Sequence, residues 1–415
     1  MTLKEIYSKF KKSKGLTTDT RNIIKGGIYL ALKGANFNGN NFALEALEKG
    51  AVLAIVDETI EGSNEQIIKV NDCLKTLQDL ANYHRLELNI PIIALTGSNG
   101  KTTSKELINA VLSKKYYTTA TQGNLNNHIG VPLTLLSMDK RTEIGIVEMG
   151  ANHLNEIATL TKIIAPNYGY ITNFGKAHLE GFGGVEGVIR GKSELYDYLK
   201  EKKQIAFVNP NDPLQIEKTK NIQSIAFDDK SELVPSDEFL TIKRNNTTIH
   251  THLIGTYNFS NLQAAISIGK YFDIDETAIK EAIENYHPKN NRSQKIVKNK
   301  ATIILDAYNS NPSSMKVALE NFKDLKATKK IAILGDMFEL GETSIEEHIS
   351  IGNLAVKLGF DEIHLIGCEF SKTNIPKVHI YPSFETFQMK FKKQKATYLI
   401  KGSRGMALER VVTLF

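Results

Sequence analysis

At 415 residues the chain is too long for one ordinary domain, and two to four are expected. Its 41% apolar and 24% charged residues match a soluble globular protein, and no apolar run nears the ~18 residues that a membrane-spanning helix requires. The formal net charge of +6, from 52 Lys and Arg against 46 Asp and Glu, is scattered along the chain. That suits small anionic substrates and argues against nucleic acid, which asks for a clustered basic face.

Three blocks follow in chain order. The opening segment, MTLKEIYSKFKKSK, lacks the continuous apolar core of a secretory signal, so neither a leader nor membrane insertion is expected. Residues 1–88 are short and mixed: GGIYLALKG predicts a strand, NFALEALEKGA a helix that stops at a glycine, and AVLAIVD a strand. Across 89–290, strands and helices alternate. PIIALTG, IGIVEMG, YGYITNF and QIAFVNP are the strands, which predicts a mainly parallel sheet with crossover helices. FLTIKRNNTTIHTHLIG predicts a hairpin turning at Asn245-Asn246, with His250 and His252 on a solvated face rather than at a metal. The polar stretch NYHPKNNRSQ marks the second boundary. From 291 to 415 the alternation restarts with TIILDAY, KIAILGD, EIHLIG, KVHIYPS and ATYLIKG, a second doubly wound, Rossmann-like sheet. Cys73 and Cys368 lack C-x-x-C spacing and read as reduced, structural thiols, so the expected compartment is cytoplasmic.

Polar residues gather just past the carboxyl ends of these predicted strands: the Gly97 loop, Glu148, Asn173, Asp306, Asp336 and Ser403-Arg404. Open α/β sheets bind ligands at that edge, so two facing sheets would line a cleft from both sides. IIALTGSNGKTTSKE departs from the phosphate-loop spelling G-x-x-x-x-G-K-[ST], because Leu95 stands where the first glycine belongs. The strand before it and the helix after it still predict a phosphate cradle formed by Gly97, Ser98, Asn99 and Gly100. Lys101 would reach the β- and γ-phosphates, and the hydroxyl of Thr102, doubled by Thr103, would hold Mg²⁺. The bland reading is a strand-to-helix turn that merely uses glycine. No N-K-x-D segment occurs, so ATP is expected over GTP.

Glu148, at a strand's end beside the loop, is placed to bind Mg²⁺, or else to cap a helix. His178 lies in a glycine-rich loop and gains meaning only from its company. Lys192 falls inside the apolar stripe of Val185, Val188, Ile189, Leu195, Tyr196 and Leu199. A lysine facing a packed sheet should lose its charge and could take up CO₂ as a carbamate, an oxygen ligand for a metal. The alternative is a snorkelling side chain at the stripe's edge.

TGSNGKTT, EMGAN, TNFGKAHLEGFG and RGKSELY together resemble the ATP-binding core of the Mur ligases, whose own glycine loop has this shortened form. DTRNIIKGGIYLALKGANFNGNNF, TQGNLNNHIGVPLTLL, LDAYNSNPSSM, LGDMFELG and LIKGSRGMALERV extend the resemblance from residue 19 to residue 412. They point to the branch that adds D-alanyl-D-alanine. The resemblance implies three domains: a small mixed α/β domain for a UDP-sugar, a central P-loop ATPase domain, and a Rossmann-like third domain. It implies Thr20 and Arg21 at the UDP-sugar, and Asn126 and Asn127 near the peptide carboxylate. Asn258 would contact adenine, and Arg292 and Asp306 would contact phosphate and ribose. Tyr308, Asn309, Ser403 and Arg404 would stand nearest the incoming dipeptide. Thr102 and Glu148 match ligands of one Mg²⁺, and His178 and a carbamylated Lys192 match ligands of a second.

The reaction implied joins UDP-MurNAc-tripeptide to D-alanyl-D-alanine at the expense of ATP, in a monomer without nucleic acid. Competing readings are an amide ligase of the same superfamily adding a diamino acid or a folate glutamate, a non-catalytic nucleotide-binding regulator, and a nucleic-acid-dependent ATPase.

Overall fold

The structure, a computed structural model, describes every residue from Met1 to Phe415 except Ser63, Asp229, Asp237 and Asn290. The expected boundary at 290 therefore falls outside the described residues. Three α/β units follow one another, each with its own sheet.

The first opens with the helix Leu3–Lys12, started by a capping box in which Thr2 and Glu5 exchange side-chain and backbone bonds. Its Ile6, Tyr7 and Phe10 are buried. Leu16–Thr17, Ile28–Leu30, Leu53–Val56 and Ile67–Lys69 form a four-stranded parallel sheet in that order. The helix Cys73–Leu88 carries the chain out, and Asn89 ends it in the left-handed conformation (φ 47°). Buried Arg85 on this helix donates to the Ile164 carbonyl at 3.0 Å and to Asn167 Oδ1 at 2.7 Å. Asn167 Oδ1 also accepts from Ile92 N, so this link secures the first unit to the amino edge of the next sheet, away from the ligand edge.

In the middle unit six parallel strands run in the order Ser224–Ala226, Ile205–Val208, Tyr168–Ile171, Ile92–Thr96, Ile144–Glu148, Thr118–Ala120. The central ones are buried throughout, which is why they read as near-continuous apolar runs. Ile92–Thr96 lies between Tyr168–Ile171 and Ile144–Glu148, so the loops leaving all three meet at one edge. The predicted hairpin is present as Thr241–Arg244 and Thr247–His250, turning at Asn245-Asn246. Ser231–Val234 adds a third antiparallel strand. Those four residues, two polar followed by two apolar, carry no alternating pattern to announce them. His252 stacks on His287 with ring centroids 3.9 Å apart, and His250 is exposed.

The third unit orders its strands Gln294–Lys298, Ala301–Asp306, Thr397–Lys401, Lys330–Gly335, Glu362–Ile366, His379–Tyr381. All pair in parallel except the first, which forms a hairpin with the second through Asn299 and Lys300, both at positive φ. QKIVK is a half-exposed edge strand, and its two lysines hide it from a search for apolar runs. Both cysteines are free: Cys73 is buried as expected of a structural thiol, whereas Cys368 is exposed. Among the described residues no helix is long and apolar enough to cross a membrane.

Candidate active site at two facing sheet edges

The carboxyl edges of the middle and third sheets enclose a cleft of about 1120 Å³. From the middle unit it is lined by Ser98–Thr103, Asn126, Asn127, Glu148, His178 and Asn258. From the hinge and third unit come Arg292, Asp306, Tyr308, Asn309 and Lys401. Sixteen of the residues singled out in the sequence, Asn173 among them, thus line one space, although they span residues 98 to 309.

Local geometry explains the glycine loop. Gly97 (φ +141°) runs so close to the neighbouring strand that a Cβ there would lie 2.0 Å from Thr172 Oγ1. Gly100 (φ +80°) precedes the helix Lys101–Leu112 in a left-handed conformation that favours glycine. No side chain caps that helix, so its first amide groups face the cleft with the positive end of the helix dipole. Lys101 Nζ donates to the Gly97 carbonyl at 2.7 Å. Burial lowers the pKa of its ammonium, with Glu148 opposing the shift and Arg292 adding to it.

Glu148 ends its strand almost fully enclosed. Its Oε2 accepts from the Thr102 hydroxyl at 2.9 Å and its Oε1 from Asn126 Nδ2 at 2.8 Å. A hydroxyl and a carboxylate in contact beside a phosphate-binding loop are a donor set that fits Mg²⁺, a hard cation usually held by one or two carboxylates, water and the substrate's own phosphates. Among the described residues no three His, Cys, Asp or Glu side chains form a ready-made metal cage.

Opposite the loop, the Arg292 guanidinium stacks 3.7 Å over the Tyr308 ring. Asp306 accepts from Ser293 N at 3.1 Å and pairs with buried Lys401 at 2.5 Å. Asn258 donates to the Ile254 carbonyl and accepts from Asn261, which in turn accepts from Ser104 on the helix after the loop. Tyr257 bonds through its hydroxyl to Ser293, across the hinge.

Three models describing Mur ligase domains match the chain: the family's catalytic domain over residues 12–85, its middle domain over 95–269, and its glutamate ligase domain over 291–404. The UDP-N-acetylmuramoyl-tripeptide–D-alanyl-D-alanine ligase of Bacillus subtilis is 33% identical to it, an alignment covering 96% of this chain and 92% of that one. The chain belongs to the Mur ligase family. Solved structures agree. MurF from Acinetobacter baumannii superposes with a TM-score of 0.86 at 29% identity, over 99% of this chain and 98% of its own. A MurF ligase from Thermotoga maritima in complex with ADP gives 0.85 at 26% identity, over 97% of each chain.

Not every expected residue of this Mur ligase faces the cleft. Lys192 lies behind its wall, with no exposed surface, on the helix Val185–Glu201. It donates to the carbonyl of Ala151, which does line the cleft, at 3.0 Å. Burial pushes its pKa well down, and the charge on Lys101 pushes it further. His178 is in the cleft, where its Nδ1 pairs with Glu339 of the third unit. Thr20 and Arg21 belong to the first unit, and the Arg21 side chain, 85% exposed, bonds to Asp19 outside the cleft.

Ser403 is buried and structural in its contacts, accepting from Phe338 N at 2.9 Å and meeting Ser310. Arg404 is exposed, paired with Glu409 and 5.6 Å from the Tyr308 ring. Asp336 stands at its strand's end but turns away, accepting from Glu369 N and Phe370 N. Lys401, Asn261 and Asn311 line the cleft without having been singled out. Lys401 ends a predicted strand, so the rule that flagged Asp306 would have found it.

Proposed function

We propose that this Mur ligase joins the carboxylate of a UDP-MurNAc-tripeptide to the amine of D-alanyl-D-alanine, converting ATP to ADP and phosphate. The observation that carries this is the cleft itself. A phosphate-type loop, an enclosed carboxylate and two inward cations on facing sheet edges suit a reaction that presses anions together. The domains are taken as 1–88 for the UDP-sugar, 89–290 for ATP, and 291–415 for the dipeptide side.

A carboxylate is a poor acylating agent. Its oxygen therefore attacks the γ-phosphorus, the bond from phosphorus to the β-bridging oxygen breaks, and ADP leaves. The dipeptide amine then attacks the acyl carbon, the bond from carbon to the phosphate oxygen breaks, and the amine sheds its proton. Lys101 and Arg292 hold the phosphates from opposite walls and offset the charge that builds up between them. Thr102 and Glu148 would hold one Mg²⁺, and His178 with a carbamylated Lys192 would hold a second; such ions would supply positive charge against the crowded phosphates. Asn126 and Asn127 orient the peptide carboxylate. Asn258 holds adenine and Asp306 the ribose. Tyr308, Asn309, Ser403 and Arg404 border the dipeptide, and Thr20 and Arg21 the UDP-sugar. The chain acts as a cytoplasmic monomer with no nucleic-acid partner. Because an acyl phosphate hydrolyses in open water, the reaction needs the two units closed over each other.

The deciding assay is ADP release by purified enzyme with UDP-MurNAc-tripeptide and each amine in turn. Release with D-alanyl-D-alanine is expected. Release with free lysine, diaminopimelate or glutamate, but not with the dipeptide, would move the chain to another amide ligase of the superfamily.

Glu148→Gln tests the metal shell. Glutamine preserves the side chain's shape but sets an NH₂ against either the Thr102 hydroxyl or the Asn126 amide, and it removes the negative charge. The Mg²⁺ concentration for half-maximal activity is expected to rise about tenfold or more. An unchanged Mg²⁺ titration removes Glu148 from the shell.

A further inference from the structure

The helix Pro312–Asp324 of the third unit begins against the phosphate loop of the middle unit. Its cap residue, Asn311, uses both ends of its amide. Oδ1 accepts from Ser314 N at 2.9 Å, completing a capping box in which Asn311 N donates back to Ser314 Oγ at 3.1 Å. Nδ2 donates to Asn99 Oδ1, at the crest of the loop, at 2.8 Å. Ser, Thr or Asp would cap this helix as well as Asn does, but Asp has no donor left for Asn99 and Ser is too short to do both.

The loop's remaining contacts make this bond consequential. The Asn99 carbonyl accepts from Thr172 Oγ1 at 2.6 Å and Asn173 Nδ2 at 2.9 Å, and Ser98 Oγ donates to the Gly175 carbonyl at 2.8 Å. The loop and residues 172–176 therefore move as one piece, leaving the Asn99 side chain for the third unit to hold. A second, separate contact lies one step along the same helix start. Ser313 Oγ accepts from Lys176 N at 2.9 Å, just before His178. Gly175 makes room for this: a Cβ there would lie 3.0 Å from Asn99 Nδ2 and 3.2 Å from Ser313 Oγ.

We propose that Asn311 and Ser313 are positioning residues for phosphoryl transfer, a clamp by which closure of the third unit sets the phosphate loop and the His178 loop together. The third unit then acts in the first half of the reaction, before any dipeptide binds, as well as in delivering the amine. This rests on the ligase reading above. A reactant misplaced by about 1 Å costs up to about a hundredfold in rate, and the clamp has that much reach over Lys101, two residues from Asn99.

Asn311→Ser and Asn311→Asp test it, with Ser313→Ala alongside. The rate to follow is ADP formation in a rapid-quench single turnover with UDP-MurNAc-tripeptide and ATP, dipeptide omitted. Both Asn311 variants keep a cap, so their thermal midpoints should stay within about 2 °C of wild type. Each should nonetheless form ADP about tenfold more slowly, with the KM for dipeptide in full turnover unchanged. Wild-type ADP formation in both Asn311 variants, or a defect seen only once dipeptide is added, overturns the clamp. A wild-type enzyme that forms no ADP with any acceptor overturns the ligase reading instead.

Discussion

Replacing Lys101 with alanine is expected to cut peptide-bond formation by about 10³-fold or more, with the protein still folded. The side chain is the first of its helix, and its ammonium bends back to the Gly97 and Ser98 carbonyls at 2.7 and 3.4 Å. Burial disfavours that charge, and Arg292 across the cleft disfavours it further. A cation kept at such cost gains most when a polyphosphate enters between the two, because the field there is weakly screened by water. Alanine removes the cation while leaving the glycine turn, whose conformation Gly97 and Gly100 determine. The checks are product formation with UDP-MurNAc-tripeptide and dipeptide, the KM for ATP, and the thermal midpoint. Lys101→Arg should fail nearly as badly, since a planar guanidinium cannot occupy the turn of a compact ammonium. Wild-type ligation by the alanine variant would mean that the phosphates bind elsewhere.

Replacing Lys192 with alanine is expected to cost about 10²-fold or more in kcat, with partial recovery on adding formate or acetate. Lys192 shares its helix face with buried Val188, Leu195, Tyr196 and Leu199, and its Nζ sits 5.0 Å from the centre of the Phe182 ring. Its Nζ donates to the backbone carbonyl of Ala151. An ammonium so enclosed is costly, and the amine is driven toward its neutral form, the form whose nitrogen bonds to CO₂ with loss of a proton. The product is an anion in place of a cation, supplying oxygens behind Ala151 at the cleft wall. Short carboxylates fill the space that alanine leaves and present similar oxygens. Lys192→Met separates chemistry from packing, because it restores volume without any ligand atom. Methionine should be as inactive as alanine and gain nothing from carboxylates. A fully active alanine or methionine variant reduces Lys192 to packing.

Much of this site could be read before any coordinate. Glycines before a lysine-threonine pair, between a strand and a helix, carry their own explanation, and the observed φ values at Gly97 and Gly100 agree with it. Helical spacing alone put Lys192 in a buried stripe with Val188, Leu195, Tyr196 and Leu199, although Val185, at the helix start, is exposed and Ile189 only half-buried. Asn258 and Arg292 were found only through family resemblance, since an asparagine or arginine in an irregular stretch has no periodic signature, whereas Asp306 was already marked by its place at a strand's end.

The clamp at Asn311 could not be read at all. Its meaning depends on Asn99, 212 positions earlier, and on the third sheet facing the middle one. Likewise nothing in LGDMFELG showed that Asp336 turns inward to cap a short helix while Glu339, three residues on, reaches His178. The short strands Ser231–Val234 and Gln294–Lys298 were missed because their partners, and not their own side chains, make them strands.

What the sequence alone determined is everything that depends on neighbours in the chain: alternating elements, the phosphate turn, the misplaced lysine, and chemistry gathered at strand ends. Tertiary structure decided which ends face one another. Hydrophobic burial fixes each sheet from local patterns, whereas the hydrogen bonds spanning the cleft join groups that only folding brings within reach.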